Sequence, residues 1–428
     1  MPTNDLRTSG KTCKTSLWVA STYFAEGLPY MIVRFLSSVY FTDIGVRESF
    51  LGFLNFLGIP WNLKFLWAPL LDIFGTKRGW MIRLQLLITI LVFILAGLAG
   101  MRSPQGPALL IPAMAFLFVG LAFIAATHDI AIDGYYLEGL TNRADQAAFS
   151  GLRVLAYRIA VIFARSVLVA AAGLANWFYG FGVGALTMLA LFVIHQISLP
   201  RFEEEKASTR VKFSEIRDNF INSFLSYLKR ERVFLILIFV ATYKLGDEIL
   251  FSMNTPFLMR ELGVTKPQLA WLAGFVGSFA SIAGTMLGAW WIQKTGLKKT
   301  IWPITLVMNV NILAYIILSE GRPSPASVKG LALIAAVHAY ENIVGGLGTA
   351  ALMVYLMRLC STKYKAAHFA IGTAIMSLGS TVLGGFGGVI VEKVGYTNLF
   401  LFGFLATIPS ILLLFWLPME EESLEYSK

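Results

Sequence analysis

The sequence predicts an all-α membrane protein with twelve transmembrane helices in two six-helix bundles. Of its 428 residues, 57% are hydrophobic and only 14% are charged, and long apolar runs follow one another along the chain. A soluble protein carries about 25% charged residues. The runs are continuous, without the alternation of about ten residues that is typical of barrel strands, so helices are favoured over a β-barrel.

Twelve runs are long enough to cross a bilayer as helices. Each approaches or exceeds the length of about 20 mostly apolar residues that the hydrocarbon core requires. The predicted spans are 16–41, 49–72, 80–100, 107–136, 149–172, 176–199, 233–258, 267–293, 300–319, 328–357, 366–391 and 396–418. Six of them precede the middle of the chain and six follow it.

The largest non-apolar stretch separates the two sets of runs. Within it, apolar residues recur at helical spacing with charges in the gaps, at Phe213, Ile216, Phe220, Phe224 and Leu228. This pattern predicts an amphipathic helix that lies on the cytoplasmic membrane face or serves as a solvated tether. We therefore expect an N-terminal six-helix bundle at 1–200, a cytoplasmic linker at 201–232 and a C-terminal six-helix bundle at 233–428.

The two halves repeat weakly. Acidic, glycine and basic positions recur at one offset (247 − 26 = 221), namely Glu26 with Asp247, Gly75 with Gly296, and Arg78 with Lys299. Paired six-helix halves with internal repeats are typical of membrane transporters.

The formal net charge of +10 comes from basic residues that cluster in alternate loops, such as Lys77, Arg78, Arg83, Lys294, Lys298 and Lys299. This bias marks the cytoplasmic side, so we expect both termini in the cytoplasm and no nucleic-acid partner. Cys13 and Cys360 fall on the same side, where a disulfide is not expected. No cleavage pattern precedes the first run, which predicts an uncleaved span.

Charged residues also lie inside four of the apolar runs: the first, fourth, seventh and tenth. An ionisable group at bilayer depth costs about 2.5–3.5 kcal/mol on insertion scales, and such a group usually faces a wet, functional interior. The residues concerned are Glu26, Arg34, His128, Asp129, Asp133, Lys244, Asp247, Glu248, His338 and Glu341.

Spacing places several of these residues on shared helix faces. Tyr23, Glu26, Tyr30 and Arg34 step by three or four, as do Asp129 and Asp133. Lys244 can pair with Asp247 or Glu248, and His338 and Glu341 stand three residues apart. The alternative interpretation is that these groups form internal ion pairs that only hold the bundle together, for example Glu26 with Arg153, Arg158 or Arg165.

The loop after the second run carries a family motif. It reads Asp72-Ile-Phe-Gly75-Thr-Lys77-Arg78 and resembles the Asp-x-x-Gly-x-basic-basic loop of the major facilitator superfamily. The second copy, from Gln293 to Lys299, lacks the acid. Three stretches resemble the branch that holds AmpG-type muropeptide permeases and acetyl-coenzyme A transporters, and they span residues 26–29, 64–72 and 128–134. His128 stands where this branch usually has Gln.

The resemblance implies that the first, fourth, seventh and tenth helices line one cavity. It implies a gating loop at Asp72, Gly75, Lys77 and Arg78. Because burial in a low-dielectric cavity favours the protonated form of a carboxyl group, the candidates for proton coupling are Asp129, Asp133 and Glu26. The candidates for substrate binding are Arg34, Tyr23, Tyr30, Arg158, Lys244, Asp247, Glu248, His338, Glu341 and Trp61.

The resulting hypothesis is a secondary active transporter that imports muropeptides with protons across the bacterial inner membrane. It needs no cofactor or metal beyond the proton gradient, and its partners are a small-molecule solute and the lipid bilayer around a monomer. The alternative solute is acetyl-coenzyme A or another organic anion, whose phosphates require a denser cationic cavity. A membrane enzyme is not expected, because the sequence lacks His-Glu-x-x-His, Gly-x-Ser-x-Gly and metal-spaced Cys/His clusters. A receptor or scaffold would usually carry a larger soluble domain.

Overall fold

The computed structural model describes residues 3–101, 110–202, 213–360 and 365–419, and every regular element in those ranges is a helix. The side chains of Cys13, Asp72, Phe213, Ile216 and Phe220 lie outside the described part. The fold is therefore all-α over the residues that can be described, as the sequence predicts.

The helices of the first half are α1 Thr3–Met31, α2 Ser37–Asp43, α3 Glu48–Phe53, α4 Ile59–Leu63, α5 Ala68–Ile73, α6 Lys77–Gly100, α7 Leu110–Gly139, α8 Arg143–Phe163, α9 Val169–Leu174 and α10 Trp177–Ser198. Those that follow are α11 Phe213–Leu228, α12 Val233–Thr242, α13 Leu245–Pro256, α14 Lys266–Leu269, α15 Ser278–Thr295, α16 Leu297–Gly321, α17 Val328–Arg358, α18 Lys365–Gly385, α19 Gly387–Ala406 and α20 Ile408–Leu413.

Eight helical stretches of the described chain are long and apolar enough to span a membrane. They are Lys77–Gly100, Leu110–Gly139, Ala144–Leu174, Trp177–Ser198, Lys266–Thr295, Leu297–Gly321, Val328–Arg358 and Gly387–Leu413. Each overlaps one of the predicted spans.

The other four predicted spans also contain helix, but three of them are built from shorter pieces. A π-helical turn at Ile32–Leu36 joins α1 to α2, and α12 gives way to α13 at residues 243–244. Between α3 and α5 the chain tightens twice into 3₁₀ helix, at Leu54–Gly58 and Lys64–Leu66. Proline is the second residue of both α4 and α5, and because proline is favoured in the first turn of a helix, these two residues mark helix starts within the second span.

Local capping explains where several helices begin. Side-chain oxygens accept hydrogen bonds from backbone N–H groups of the first turn at Thr76, Asn142, Asn176 and Ser327. These bonds satisfy donors that would otherwise lack a partner at each helix start. In the predicted loop motif and its second copy, Gly75 and Gly296 have φ of 76° and 82°, which is a conformation that side chains disfavour.

The chain forms two compact units that exchange short segments along the sequence. Unit 1 comprises Met1–Ile44, Leu57–Lys212 and Thr265–Phe275. Unit 2 comprises Gly45–Phe56, Phe213–Val264 and Val276–Lys428. Residues 45–56, from the first half of the sequence, thus belong to unit 2, and residues 265–275, from the second half, belong to unit 1.

In unit 1, α1 packs against α7 and α8, while α6 packs against α7 and α10. In unit 2, α17 lies between α15 and α16, and α13 packs on α18 and α19. Close approach between α15 and α17 depends on glycine, because a Cβ at Gly284 would lie 1.9 Å from the backbone oxygen of Ile343. Small residues permit this backbone contact between membrane helices.

The exchanged segment of unit 2 rests on a glycine seam, which we define as Gly52 of α3 with Gly385 and Gly388. A Cβ on Gly52 would lie 2.7 Å from both the oxygen of Gly385 and the nitrogen of Gly388. A Cβ on Gly388 would lie 1.8 Å from the oxygen of Glu48. Next to the seam, the backbone N–H and hydroxyl of Ser49 donate to Glu392 at 3.0 and 2.9 Å.

We expect Gly388→Ala to destabilise unit 2, because the added methyl group would meet main-chain atoms that cannot rotate away. Forcing extra volume into a packed contact typically costs about 1–3 kcal/mol. Gly120→Ala is the matched control, since no atom lies within 4 Å of its added Cβ and alanine favours a helix. Thermal unfolding of the purified variants measures the difference, and we expect a lower melting temperature for Gly388→Ala than for Gly120→Ala. Equal melting temperatures would contradict a tight seam.

Candidate functional site

A group of interacting charged residues in unit 1 combines side chains from α1, α7, α8 and the segment before α5. We call Glu26, Lys64, Asp129, Asp133 and Arg153 the acid cluster. Lys64 forms an ion pair with Asp129 and lies 4.0 Å from Asp133. Arg153 reaches Asp133 at 3.0 Å. The predicted common face of Asp129 and Asp133 therefore meets two cations.

Tyr23 and Tyr136 complete the cluster around Asp133. The Tyr23 hydroxyl donates a hydrogen bond to Asp133 Oδ1 at 2.9 Å. The guanidinium carbon of Arg153 lies 4.4 Å from the Tyr23 ring centre and 4.8 Å from that of Tyr136. This cation–π contact and the ion pair together fix the position of Arg153.

Glu26 is the acid of the cluster that forms no ion pair among the described residues, although the charge of Lys64 is close enough to act on it. Its Oε2 atom is buried without a hydrogen-bond partner in the described part of the chain. Glu26 nevertheless lies close enough to Asp129 for the two carboxyl groups to interact electrostatically. A hydrogen bond between two carboxyl groups requires a proton on one of them, because an ionised carboxylate can only accept.

The acid cluster carries one negative charge in excess of neutrality when all its groups are ionised. Its three carboxylates and two cations sum to −1 (2 − 3) if all are ionised. An uncompensated buried charge is costly, and binding one proton removes it. Solvent exposure also differs within the cluster, because the side chain of Asp133 is 39% exposed while that of Asp129 is 9% exposed.

Aromatic side chains lie next to this cluster. Tyr30 packs edge-on against Trp61, with ring centres 5.0 Å apart at 89°, and Tyr157 lies 6.3 Å from Tyr30. Tyr157 is near enough to Glu26 and Asp129 to interact with their charges. Predicted binding residues of the first and second spans thus meet around one aromatic group.

Arg34, Arg158 and His128 are further predicted residues of unit 1. Arg34 sits in the π-helical turn beside Gly58, where a Cβ would be 3.1 Å from the guanidinium. Arg158 is half-buried. His128 is 1% exposed, and neither ring nitrogen has a hydrogen-bond partner among the described residues. Sequence spacing alone does not distinguish these positions from those in the cluster.

A second polar group lies in unit 2, around Lys244 and Asp247. Lys244 Nζ donates to the Thr349 hydroxyl at 3.0 Å and lies 3.5 Å from Asp247 Oδ2. The Asp247 side chain is 1% exposed, and neither oxygen has a hydrogen bond within the described chain. Glu248 is half-buried next to this pair. Asp247 is thus a buried carboxylate with one nearby cation.

Glu341 forms the other part of this group. Tyr315 donates to Glu341 Oε2 at 2.7 Å, and His338 Nδ1 lies 3.4 Å from the same oxygen. The second oxygen, Oε1, is buried and unpartnered in the described part of the chain. Asp247 and Glu341 are close enough to interact electrostatically. The predicted His338–Glu341 pair is therefore a contact, with Tyr315 as a third member.

The loop motif of the second span has a structural role that can be traced to Arg78. Its Nε and Nη2 atoms donate to the carbonyl oxygens of Leu199 and Gln196 at 3.2 and 2.9 Å. These carbonyls end α10, where helix oxygens lack internal donors. Lys77 is buried against Gly134, whose Cβ would meet the Lys77 side chain at 2.9 Å.

Sequence reasoning did not assign roles to several residues of these groups. Lys64 is a charged residue inside the second predicted span, which is not one of the four spans that the charge pattern singled out. Asn309 and Asn311 of α16 are buried, and no amide atom of either has a partner among the described residues. Uncharged amides in a hydrophobic run give a weaker sequence signal, although their burial has a similar cost.

The chain is similar in sequence to known transport proteins. It is 27% identical over 410 residues to the anhydromuropeptide permease of Escherichia coli (strain K12), covering 95% of this chain and 79% of that protein. It is 29% identical over 414 residues to an uncharacterized protein of Haemophilus influenzae, covering 94% and 95%. Both alignments extend over nearly the whole chain.

The fold is shared with solved transporters. The crystal structure of a D-xylose-proton symporter superposes with a TM-score of 0.68 at 13% identity, covering 95% of this chain and 97% of that one. The family model of the Major Facilitator Superfamily matches residues 19–340 and 243–427. Together with the buried charges and the helical fold, this match shows that the chain is a membrane transporter of the Major Facilitator Superfamily.

Proposed function

We propose that this transporter imports muropeptides, sugar-peptides derived from the cell wall, together with protons across the bacterial inner membrane. The observation that carries the coupling is the acid cluster, in which Glu26 and Asp129 can share one proton. The similarity to an anhydromuropeptide permease supports the choice of solute. In this proposal both termini lie in the cytoplasm.

Proton uptake and release follow from the graded exposure of the cluster. In this proposal a proton enters at the half-exposed Asp133 and passes from there to Asp129, whose side chain is 9% exposed, and to Glu26. Protonation makes the cluster neutral, and loss of the proton restores its negative charge. Alternation between these two states gives a transporter a physical basis for coupling solute movement to a proton gradient.

Each unit holds polar or aromatic groups of the kind that bind a sugar-peptide. Aromatic faces such as those of Tyr30 and Trp61 suit sugar rings, while tyrosine and amide groups suit peptide bonds. Lys244 and Arg34 can bind carboxylates, and Asp247 and Glu341 can bind an ammonium group. Asn309 and Asn311 add buried donors and acceptors.

The same residues disfavour acetyl-coenzyme A as the solute. Its phosphate groups need an excess of cations. In the acid cluster three acids outnumber two bases, and near Asp247 the acids Asp247 and Glu248 outnumber Lys244. Competition between the two solutes for binding to the purified protein tests this choice, and stronger binding of acetyl-coenzyme A would reverse it.

We expect proteoliposomes containing the protein to accumulate labelled anhydro-muropeptide when a proton gradient is directed inward. Collapsing the gradient with a protonophore should stop accumulation but allow the solute to equilibrate. Accumulation that is unaffected by the protonophore would refute proton coupling. Absence of any uptake or competition by muropeptides would refute the solute assignment.

A further inference from the structure

A cavity of about 600 Å³ lies within unit 2, away from the buried polar group of that unit. Three arginines line it, Arg230, Arg232 and Arg358, together with Glu231, Tyr355 and Met419. Three bases against one acid leave a net charge of +2 (3 − 1) around the cavity. Neither proton coupling nor solute binding in the proposal above uses these residues.

Arg230 is held rigidly at the wall of this cavity. The His368 Nε2–H group donates to the carbonyl oxygen of Ser223 at 3.1 Å, so Nδ1 can accept a hydrogen bond from Arg230 Nη2 at 2.5 Å. The guanidinium carbon also lies 4.5 Å from the ring centre of Tyr227. Two contacts therefore orient the guanidinium before any ligand arrives, which lowers the entropic cost of binding.

Two donors at the cavity wall have no hydrogen-bond partner among the described residues. Arg230 Nη1 is buried and unpaired there. The Tyr355 hydroxyl is also unpaired, and Tyr355 is only 2% exposed. Buried donors are normally satisfied, so each of these groups calls for an acceptor. Both line the same cavity.

Arg232 adds backbone strain at the same place. It has φ of 55°, in the left-handed region that a residue with a side chain rarely adopts. This conformation immediately precedes α12, and the guanidinium donates to the Trp416 carbonyl oxygen at 3.3 Å. Strained residues of this kind cluster at ligand-binding sites.

We propose that this cavity binds a phosphate-bearing anion through Arg230, Arg358, Arg232 and the Tyr355 hydroxyl. Arginine matches the oxygens of phosphate with two parallel N–H donors, and several donors from different directions suit its tetrahedral shape. A phosphate monoester carries about −1.5 to −2 charges and the phosphodiester of an anionic phospholipid carries about −1, so the +2 excess of the cavity wall is attractive to both. The source is either the headgroup of an anionic phospholipid or a soluble phosphate compound.

The surroundings show how a lipid headgroup could reach the cavity. Arg230 lies two residues after the end of α11, which exposes Ile221, Phe224, Leu225 and Leu228. An exposed apolar row beside a basic site is typical of a segment that lies on a membrane surface.

The test uses the purified full-length protein and two probes. Inorganic phosphate is titrated in uncharged detergent at constant ionic strength, and thermal unfolding is followed. The second probe is reconstitution into phosphatidylcholine nanodiscs with or without phosphatidylglycerol. We expect saturable stabilisation by at least one probe, and weakening of that binding by about tenfold or more in Arg230→Gln and Arg358→Gln.

The matched control is Lys229→Gln, which removes an exposed positive charge next to Arg230 but does not line the cavity. Stabilisation by phosphate identifies a soluble ligand, and stabilisation by phosphatidylglycerol alone identifies a lipid headgroup. The proposal is overturned if neither probe stabilises the protein, or if Lys229→Gln weakens binding as much as Arg230→Gln.

The acidic end of the chain supplies a competing occupant. Residues 420–428 follow Met419 and include Glu420, Glu421, Glu422 and Glu425. If phosphate or phosphatidylglycerol binds only after residues 420–428 are deleted, the cavity serves this chain's own carboxylates and the proposal fails. Equal binding with and without those residues supports an external ligand.

Discussion

Asp129→Asn is expected to abolish proton-driven accumulation of solute while solute exchange between the two sides of the membrane continues. The substitution keeps the size of the side chain but removes the carboxyl group that can share a proton with Glu26 and pair with Lys64. Loss of a group that carries a proton typically costs about 10²-fold or more in rate. The measurement is the initial rate of uptake into proteoliposomes, compared between the variant and the unmodified protein with and without a proton gradient.

Asp145→Asn is the matched control for this prediction. Asp145 is exposed in the first turn of α8, and it takes no part in the acid cluster. We expect its gradient-driven uptake to stay close to that of the unmodified protein. If Asp129→Asn lowers exchange, binding and thermal stability to the same extent as accumulation, Asp129 serves the structure through its ion pair with Lys64 and the coupling proposal loses its main support.

Lys244→Met should lower the free energy of unfolding by about 3–5 kcal/mol, because it would leave the carboxylate of Asp247 buried without its cation. That carboxylate is 1% exposed and has no hydrogen bond among the described residues. The double variant Lys244→Met with Asp247→Asn should recover much of this loss, since it removes the unpaired charge as well. Denaturant unfolding in mixed micelles measures both effects.

An exposed ion pair supplies the comparison. Arg47 is 83% exposed where it meets Glu392 at 3.4 Å. Removing its charge with Arg47→Met should cost no more than about 1 kcal/mol, because solvent screens pairs of this kind. Similar losses in Lys244→Met and Arg47→Met, or a double variant no more stable than Lys244→Met, would show that Asp247 is not stabilised by Lys244.

The fold class could be predicted from the sequence because hydrophobic length and charge composition are direct consequences of the bilayer. The segmentation of the second span was less apparent, although Pro60 and Pro69 mark the starts of α4 and α5. The exchange of residues 45–56 and 265–275 between units could not be predicted. For residues 45–56 it depends on close backbone approach at glycines, which leaves no periodic signal in the sequence.

The acid cluster was partly predictable. Asp129 and Asp133 share a helix face, and Tyr23 and Glu26 share another, so local spacing brought these residues to attention. The pairing of Arg153 with Asp133, rather than with Glu26, depends on how α8 packs against α1 and α7. That choice of partner is a tertiary property, and the sequence left it open among Arg153, Arg158 and Arg165.

The glycine seam limits which changes the protein can tolerate at position 388. The atoms that crowd this position belong to the main chain at Glu48 and Gly52, so trimming a neighbouring side chain cannot create room for a larger residue. Compensation would require moving the backbone of α3. In a saturation library, position 388 should therefore lack second-site suppressors among side-chain replacements, whereas a cavity wall made of side chains usually has several.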